Sequence, residues 1–159
     1  MSEHFEPITG GCLCGAVRYE VSEAPFWIGY CHCDMCKRAF GGPFALYVDF
    51  RRQAVRYTKG APSLYQSSSF AERGFCSSCG TPLLYQYRAG TPAGDTRIDI
   101  DPYPEIARSE LVGFGIGSLD RPADFRPSSH GFADRQIPWL VIDDGLRRDH
   151  GPFDEKAEV

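Results

Sequence analysis

Seven cysteines gathered into three tight groups constrain this chain more than any other feature: Cys12-Leu13-Cys14, Cys31-His32-Cys33-Asp34-Met35-Cys36 and Cys76-Ser77-Ser78-Cys79. An odd number cannot be used up by disulfides within one chain. The opening residues 1–7 carry neither a basic region nor an apolar run of the secretory kind, so a reducing cytoplasm is the expected setting. Thiolates spaced C-x-C, C-x-C-x-x-C and C-x-x-C suit a tetrahedral soft cation, because Zn–S bonds of about 2.3 Å let one short turn fill two vertices. Residues 75–82 have the form of a zinc knuckle, with Gly80 permitting the tight turn between the two sulfurs and the next strand. A thioredoxin-like redox pair at Cys76 and Cys79 would need a helix N-terminus, whereas Gly80 and Pro82 follow at once. An iron–sulfur cluster uses the same ligands and would declare itself by colour.

Seven divides into four and three. A four-cysteine site is closed and structural, while a three-cysteine site leaves a vertex for water or substrate. The compact C-x-C-x-x-C can wrap three vertices alone, which assigns Cys31, Cys33 and Cys36 to an open site. Cys12, Cys14, Cys76 and Cys79 then clamp a structural zinc. On spacing alone, a rival partition that exchanges one pair stays open.

The rest of the chain reads as mainly β. Within 159 residues there are 17 glycines and 12 prolines, a turn-rich composition. Period-two alternation predicts strands over residues 17–21, 26–30, 44–50, 54–58, 69–75, 83–87, 97–100 and 112–116. Their short spacings predict stacked antiparallel sheets. Helix is scarce: residues 32–40 are the best candidate, stopped by Gly41-Gly42-Pro43, and a turn is expected over 104–108. Residues 88–96 read as an exposed loop and 138–142 as a late apolar segment closing the core. The expectation is one domain over 1–159, with 147–159 a flexible polar tail. A net charge of −4 argues against nucleic acid as partner, and no apolar run reaches the ~18 residues of a membrane helix.

A resemblance runs through nearly the whole chain. Residues 10–19 (GGCLCGAVRY), Cys31-His32-Cys33 with Cys36-Lys37-Arg38 and Pro43-Phe44, Phe75-Cys76 to Cys79-Gly80-Thr81, and residues 117–122 (GSLDRP) fall in the order of the glutathione-dependent formaldehyde-activating enzyme family. That group also takes in centromere protein V. The resemblance implies a zinc-bearing β-tent fold and a carbon–sulfur lyase class of activity. It also implies the partition above, with Cys12, Cys14, Cys76 and Cys79 structural and Cys31, Cys33 and Cys36 catalytic. The family often has Arg directly after the third catalytic cysteine; this chain has Lys37 and then Arg38.

The expected cofactors are therefore two zinc ions, with glutathione as a candidate cosubstrate and a small thiol and aldehyde as partners. A thiol that coordinates zinc is deprotonated outright, and would add to an aldehyde to give an S-(hydroxymethyl)glutathione-like adduct. Three thiolates on Zn²⁺ leave the site at −1, which Lys37 or Arg38 would offset while binding an acidic thiol. His130 is a candidate proton shuttle, its ordinary pKa of ~6.5 suiting that work. His32, between two ligands, should point away from the metal, and His4 and His150 sit near the ends. Asp120 reads as a turn residue capping backbone donors, and Arg51-Arg52 and Arg147-Arg148 as solvated faces. The alternative function is a non-catalytic, zinc-stabilised binding module.

Overall fold

The structure, a computed structural model, describes residues 5–100 and 103–150. In chain order the elements are β1 (Ile8–Gly11), β2 (Arg18–Val21), β3 (Trp27–Cys31), α1 (Asp34–Phe40), β4 (Ala45–Arg51), β5 (Val55–Lys59), β6 (Ser63–Gln66), β7 (Ala71–Phe75), β8 (Pro82–Tyr87), α2 (Pro92–Asp95), β9 (Arg97–Ile100), β10 (Tyr103–Ala107), β11 (Leu111–Gly115), β12 (Ser129–Gly131) and β13 (Arg147–Arg148). They form a small sheet β1-β2-β5, a ribbon β10-β9 and a large sheet ordered β13-β12-β3-β4-β11-β8-β7-β6. The fold is mainly β, as the alternation requires.

The two larger sheets stack because alternate residues on each are apolar. Tyr19 and Val21 of β2 pack on Val48 and Phe50 of β4, Leu84 of β8, and Val112 and Phe114 of β11. The Tyr19 and Phe114 rings stack at 4.0 Å, and the buried Tyr19 hydroxyl is satisfied by Ser118 Oγ at 2.7 Å. That contact uses one face of the large sheet. The opposite face carries Ala45 and Tyr47 of β4, Cys31 of β3 and Tyr85 of β8, and α1 covers its end through Cys33, Cys36 and Phe40. Every buried aromatic side chain removed from water contributes on the order of 2–3 kcal/mol to holding the sheets together.

Helix α1 is shorter than the predicted 32–40 because Cys33 is its N-cap: its Sγ accepts the Cys36 N–H, and Gly41 ends the helix at φ 66°. The predicted turn over 104–108 is instead strand β10, followed by a tight turn at Arg108–Glu110. The loop 88–96 contains α2, capped by Thr91 Oγ1 accepting from Gly94 N at 3.0 Å.

Two further expectations are corrected at the C-terminal end. The segment 138–142 does not close the core: Trp139 and Val141 are 74% and 83% exposed, and the chain turns at Ile137–Leu140 rather than extending. Arg147–Arg148 is not frayed but pairs in parallel with Ser129–His130, which in turn pairs in parallel with Gly29–Tyr30. These two parallel pairings stand beside named strands that otherwise pair antiparallel, in keeping with the expected mainly antiparallel sheets. His4 and residues 151–159 of the expected tail lie outside the described residues. No described helix is long and apolar enough to cross a membrane.

Candidate metal centres and the cavity beside them

The turn after β1 and the turn after β7 bring four sulfurs together. Those of Cys12, Cys14, Cys76 and Cys79 all lie within 4.8 Å of one another. Cys12 and Cys14 are 3.6 Å apart and Cys14 and Cys76 3.8 Å, close to the ~3.8 Å edge of a tetrahedron with 2.3 Å Zn–S bonds. The separations are far too long for disulfides, and all seven cysteines are free. Backbone geometry aims the sulfurs: Cys12 Sγ accepts the Val17 N–H at 3.2 Å, and Gly80 N–H closes its turn on the Cys76 carbonyl at 2.8 Å. Gly15 and Gly80 sit at φ 73° and 75°, the left-handed region that glycine enters without strain. Thr81 links the two turns, with Oγ1 accepting Leu13 N–H at 3.1 Å and lying 3.1 Å from Cys79 Sγ.

Cys31, Cys33 and Cys36 form a second set, also within 4.8 Å of one another. Cys31 ends β3, Cys33 caps α1 and Cys36 lies in its first turn, so one strand-to-helix corner supplies all three. The seven sulfurs thus divide into the four and three of the sequence reading. Cys33 and Cys36 are buried, and all three line a cavity of about 220 Å³ whose walls are largely aromatic. The donor sets fit zinc at both places, the first offering four soft ligands and the second three with a cavity beside them.

A cation stands against the three-cysteine set, and it is Arg73 of β7. Its Nη2 donates to Cys36 Sγ at 3.6 Å and its Nη1 to the Tyr47 hydroxyl at 3.0 Å, while that hydroxyl lies 3.6 Å from the same sulfur. Hydrogen bonds from Cys31 and Cys33, with the Arg73 charge, hold Cys36 well below the ordinary thiol range. Burial pushes the Tyr47 phenol well up, so it stays a neutral donor. The Arg73 guanidinium also lies over the Tyr85 ring, 5.0 Å from its centre.

The structure does not bring Lys37 and Arg38 to this place. Lys37 Nζ is engaged by Asp34 at 2.7 Å and donates to the Arg135 carbonyl at 2.9 Å, and both residues border a shallow outer groove with Ile137 and Trp139. Neither lines the cavity. His130 is also absent from its wall: it is fully buried, with Nδ1 2.8 Å from His32 Nε2 and Nε2 2.8 Å from Asp144 Oδ2. Its ring stacks on Tyr30 at 4.3 Å. Asp120 does not cap its own turn; it accepts from Thr9 Oγ1 at 2.6 Å and takes both arms of Arg18, which holds its carboxyl below the usual range. His150 lies 3.9 Å from Asp134, on the surface.

Sequence reasoning missed Arg73, Tyr47 and Asp49, the last of which also borders the cavity. The signal was alternation. Ala45, Tyr47 and Asp49 occupy one face of β4 while Val48 and Phe50 occupy the core face, so a polar group at an inward position was readable as a wall residue.

The profile of the family described as glutathione-dependent formaldehyde-activating enzyme matches residues 7–101, a stretch containing all seven cysteines, Asp49 and Arg73. An uncharacterized lyase of Schizosaccharomyces pombe is 35% identical over 81 residues, covering 51% of this chain and 58% of that protein. A protein of Halomonas elongata, provisionally named glutathione-dependent formaldehyde-activating enzyme, is 35% identical over 85 residues, covering 48% of this chain and 54% of its own. The chain thus spans little more than half the length of these curated relatives. A crystal structure of a Rhodobacter sphaeroides protein superposes with a TM-score of 0.51 at 26% identity, covering 75% of this chain and 97% of that one.

Proposed function

Because the chain belongs to the glutathione-dependent formaldehyde-activating enzyme family, we propose that it is a zinc-dependent carbon–sulfur lyase acting on the adduct of a small thiol and an aldehyde. The observation that carries this reading is the contrast between the two sulfur sets: four sulfurs in a turn-to-turn clasp, and three, two of them buried, at the wall of an aromatic cavity.

Cys31, Cys33 and Cys36 would hold a zinc ion, which would supply Lewis acidity able to lower the pKa of a substrate thiol toward neutral. The chain's own residues do the rest. Arg73 and the Tyr47 hydroxyl both reach Cys36 Sγ, offsetting the negative charge of three thiolates that would otherwise repel an incoming sulfur anion. The aromatic walls exclude water and strengthen those interactions by lowering the local dielectric. In the synthetic direction the substrate sulfur forms a bond to the aldehyde carbon, the C=O π pair moves to oxygen, and the proton lost from the thiol ends on that oxygen. Lysis is the reverse, and neither direction needs an oxidant or reductant. Cys12, Cys14, Cys76 and Cys79 would hold a second, structural zinc.

The test follows adduct formation from glutathione and formaldehyde by NMR exchange, with zinc-loaded wild type and Cys33→Ser compared against the uncatalysed rate. Acceleration by wild type alone supports the reading. If the fully metallated protein accelerates no thiol and aldehyde pair, a zinc-stabilised binding module replaces it.

A further inference from the structure

The cavity carries a carboxylate for which the proposed reaction has no use. Asp49 lies on the same face of β4 as Tyr47 and Ala45, and the register places Cys31 opposite Ala45 and Trp27 opposite Asp49. Both strands therefore count four residues from the cysteine end of the cavity to the Asp49 end, about 13 Å at ~3.3 Å per residue. On the other neighbour, β11, the residue opposite Asp49 is Gly113, where a Cβ would come within 2.3 Å of Asp49 Oδ1. The absence of a side chain there leaves room for the carboxylate beside the β11 backbone.

Half-buried at the cavity edge, this group makes no hydrogen bond or ion pair among the described residues, and desolvation pushes its pKa up to about 7. Arg73, the other charged residue on the wall, is engaged by Cys36 and Tyr47. A carboxylate largely desolvated without a partner costs folding stability, which marks Asp49 as a candidate contact for a ligand that supplies the partner. Its surroundings say which ligand. Trp27, Tyr85 and Tyr87 border the same cavity, and aromatic faces around one carboxylate suit an alkylammonium group, through ring quadrupoles and a charged hydrogen bond.

We propose that Asp49 is a specificity-determining residue of this cavity, accepting the ammonium group of an amine-bearing thiol whose sulfur lies at the cysteine end. The assignment rests on the lyase reading for the sulfur's position, but its test does not depend on turnover. A γ-glutamyl thiol such as glutathione, with its ammonium separated from sulfur by a chain of eight bonds, is of the right class.

The probes are S-methylglutathione, which has no reacting thiol, and its N-acetyl derivative, which keeps the frame but loses the ammonium. Their binding to zinc-loaded protein is measured by calorimetry for wild type and Asp49→Asn, with circular dichroism confirming that the near-isosteric variant folds. Wild type should prefer the free amine by roughly ten- to hundredfold, the scale of one charged hydrogen bond. Asp49→Asn should bind both about equally, and bind the N-acetyl form as wild type does. Equal binding of the two probes by wild type, binding of neither, or an unchanged preference in Asp49→Asn overturns the assignment. Amine preference in a protein that accelerates no thiol and aldehyde pair would remove the lyase reading and leave Asp49 standing; turnover without amine preference would do the reverse.

Discussion

The imidazoles of His32 and His130 meet at 2.8 Å, Nε2 to Nδ1, with both rings fully buried. His130 passes the contact on to Asp144, whose other carboxylate oxygen accepts the Leu146 N–H at 3.1 Å. The pair joins the cysteine-bearing corner after β3 to the chain's last described segment, beside the backbone bond from His32 N to the Gly131 carbonyl. Because neither ring lines the cavity, the pair is expected to act as a fastener. His130→Ala should cost about 2–4 kcal/mol by leaving buried partners unsatisfied and a void. Thermal unfolding should shift down by several degrees while kcat of the protein that remains folded is unchanged. A fall in kcat with an unaltered melting temperature would instead restore a proton-shuttle role.

The two sulfur sets should respond differently to substitution. Structural zinc contributes on the order of 10 kcal/mol in small modules, comparable with a whole domain's stability. Cys76→Ser, at a residue packed against Val17 and Leu83, should lose one zinc and fail to fold cooperatively. Cys33→Ser should keep a cooperative melt, lose the other zinc and abolish turnover. Elemental analysis alongside calorimetry checks this, and equal destabilisation by both would dissolve the distinction.

Arg73 is expected to matter through charge and through its two-pronged grip. Arg73→Gln should lower kcat/KM by roughly a hundredfold, consistent with about 2–3 kcal/mol for a desolvated charged contact, and should weaken zinc retention at the three-cysteine centre under mild chelation. Arg73→Lys should restore part of the zinc retention but little of the rate, because an ammonium cannot hold Cys36 Sγ and the Tyr47 hydroxyl together. Matching loss in both variants would point to the fork alone.

Asp49 makes a signed prediction about pH. Its folded pKa is raised to about 7 from 3.8, so the folded state binds more protons than the unfolded one between those values, and this group's contribution to stability falls as pH rises through that window. Asp49→Asn should therefore be more stable than wild type at about pH 8, by up to about 4 kcal/mol, and the gap should close near pH 4. Denaturant melts of both proteins at each pH decide it, since acid effects on the two cysteine clusters are common to both. A gap that is constant with pH would show that the carboxyl does not titrate as described.

Much of the molecule was legible in its residues. The cysteine spacings carried the sulfur sets because chelation is a local property of short turns, and alternation carried β4, β8 and β11 because each buries one face. What escaped was settled by distant partners. β12 and β13 are short and carry little alternation; β12 exists because β3, about 100 residues earlier, offers an open edge, and β13 adds to β12. Lys37 follows the third cysteine directly, yet helical geometry turns it from the cavity toward Asp34 and the Arg135 carbonyl, and the cation that reaches Cys36 comes from a strand 37 residues further on. The apolar run at 138–142 misled because hydrophobic composition without a periodic face does not specify burial.

The four-sulfur clasp also sets an order of events during synthesis. Cys14 and Cys76 are 62 residues apart, and the first pair lies in the turn between β1 and β2 of the small sheet while the second follows a strand of the large one. On a ribosome the first two ligands emerge well before the last two, and the clasp cannot close until both turns exist. The entropic cost of closing so long a loop falls on the last step, when the N-terminal turn meets the β7–β8 turn. Zinc supply should accordingly govern the slow phase of refolding, leaving sheet formation fast, and a nascent chain starved of metal would hold Cys12 and Cys14 as an exposed, oxidisable half-site until the other half arrives.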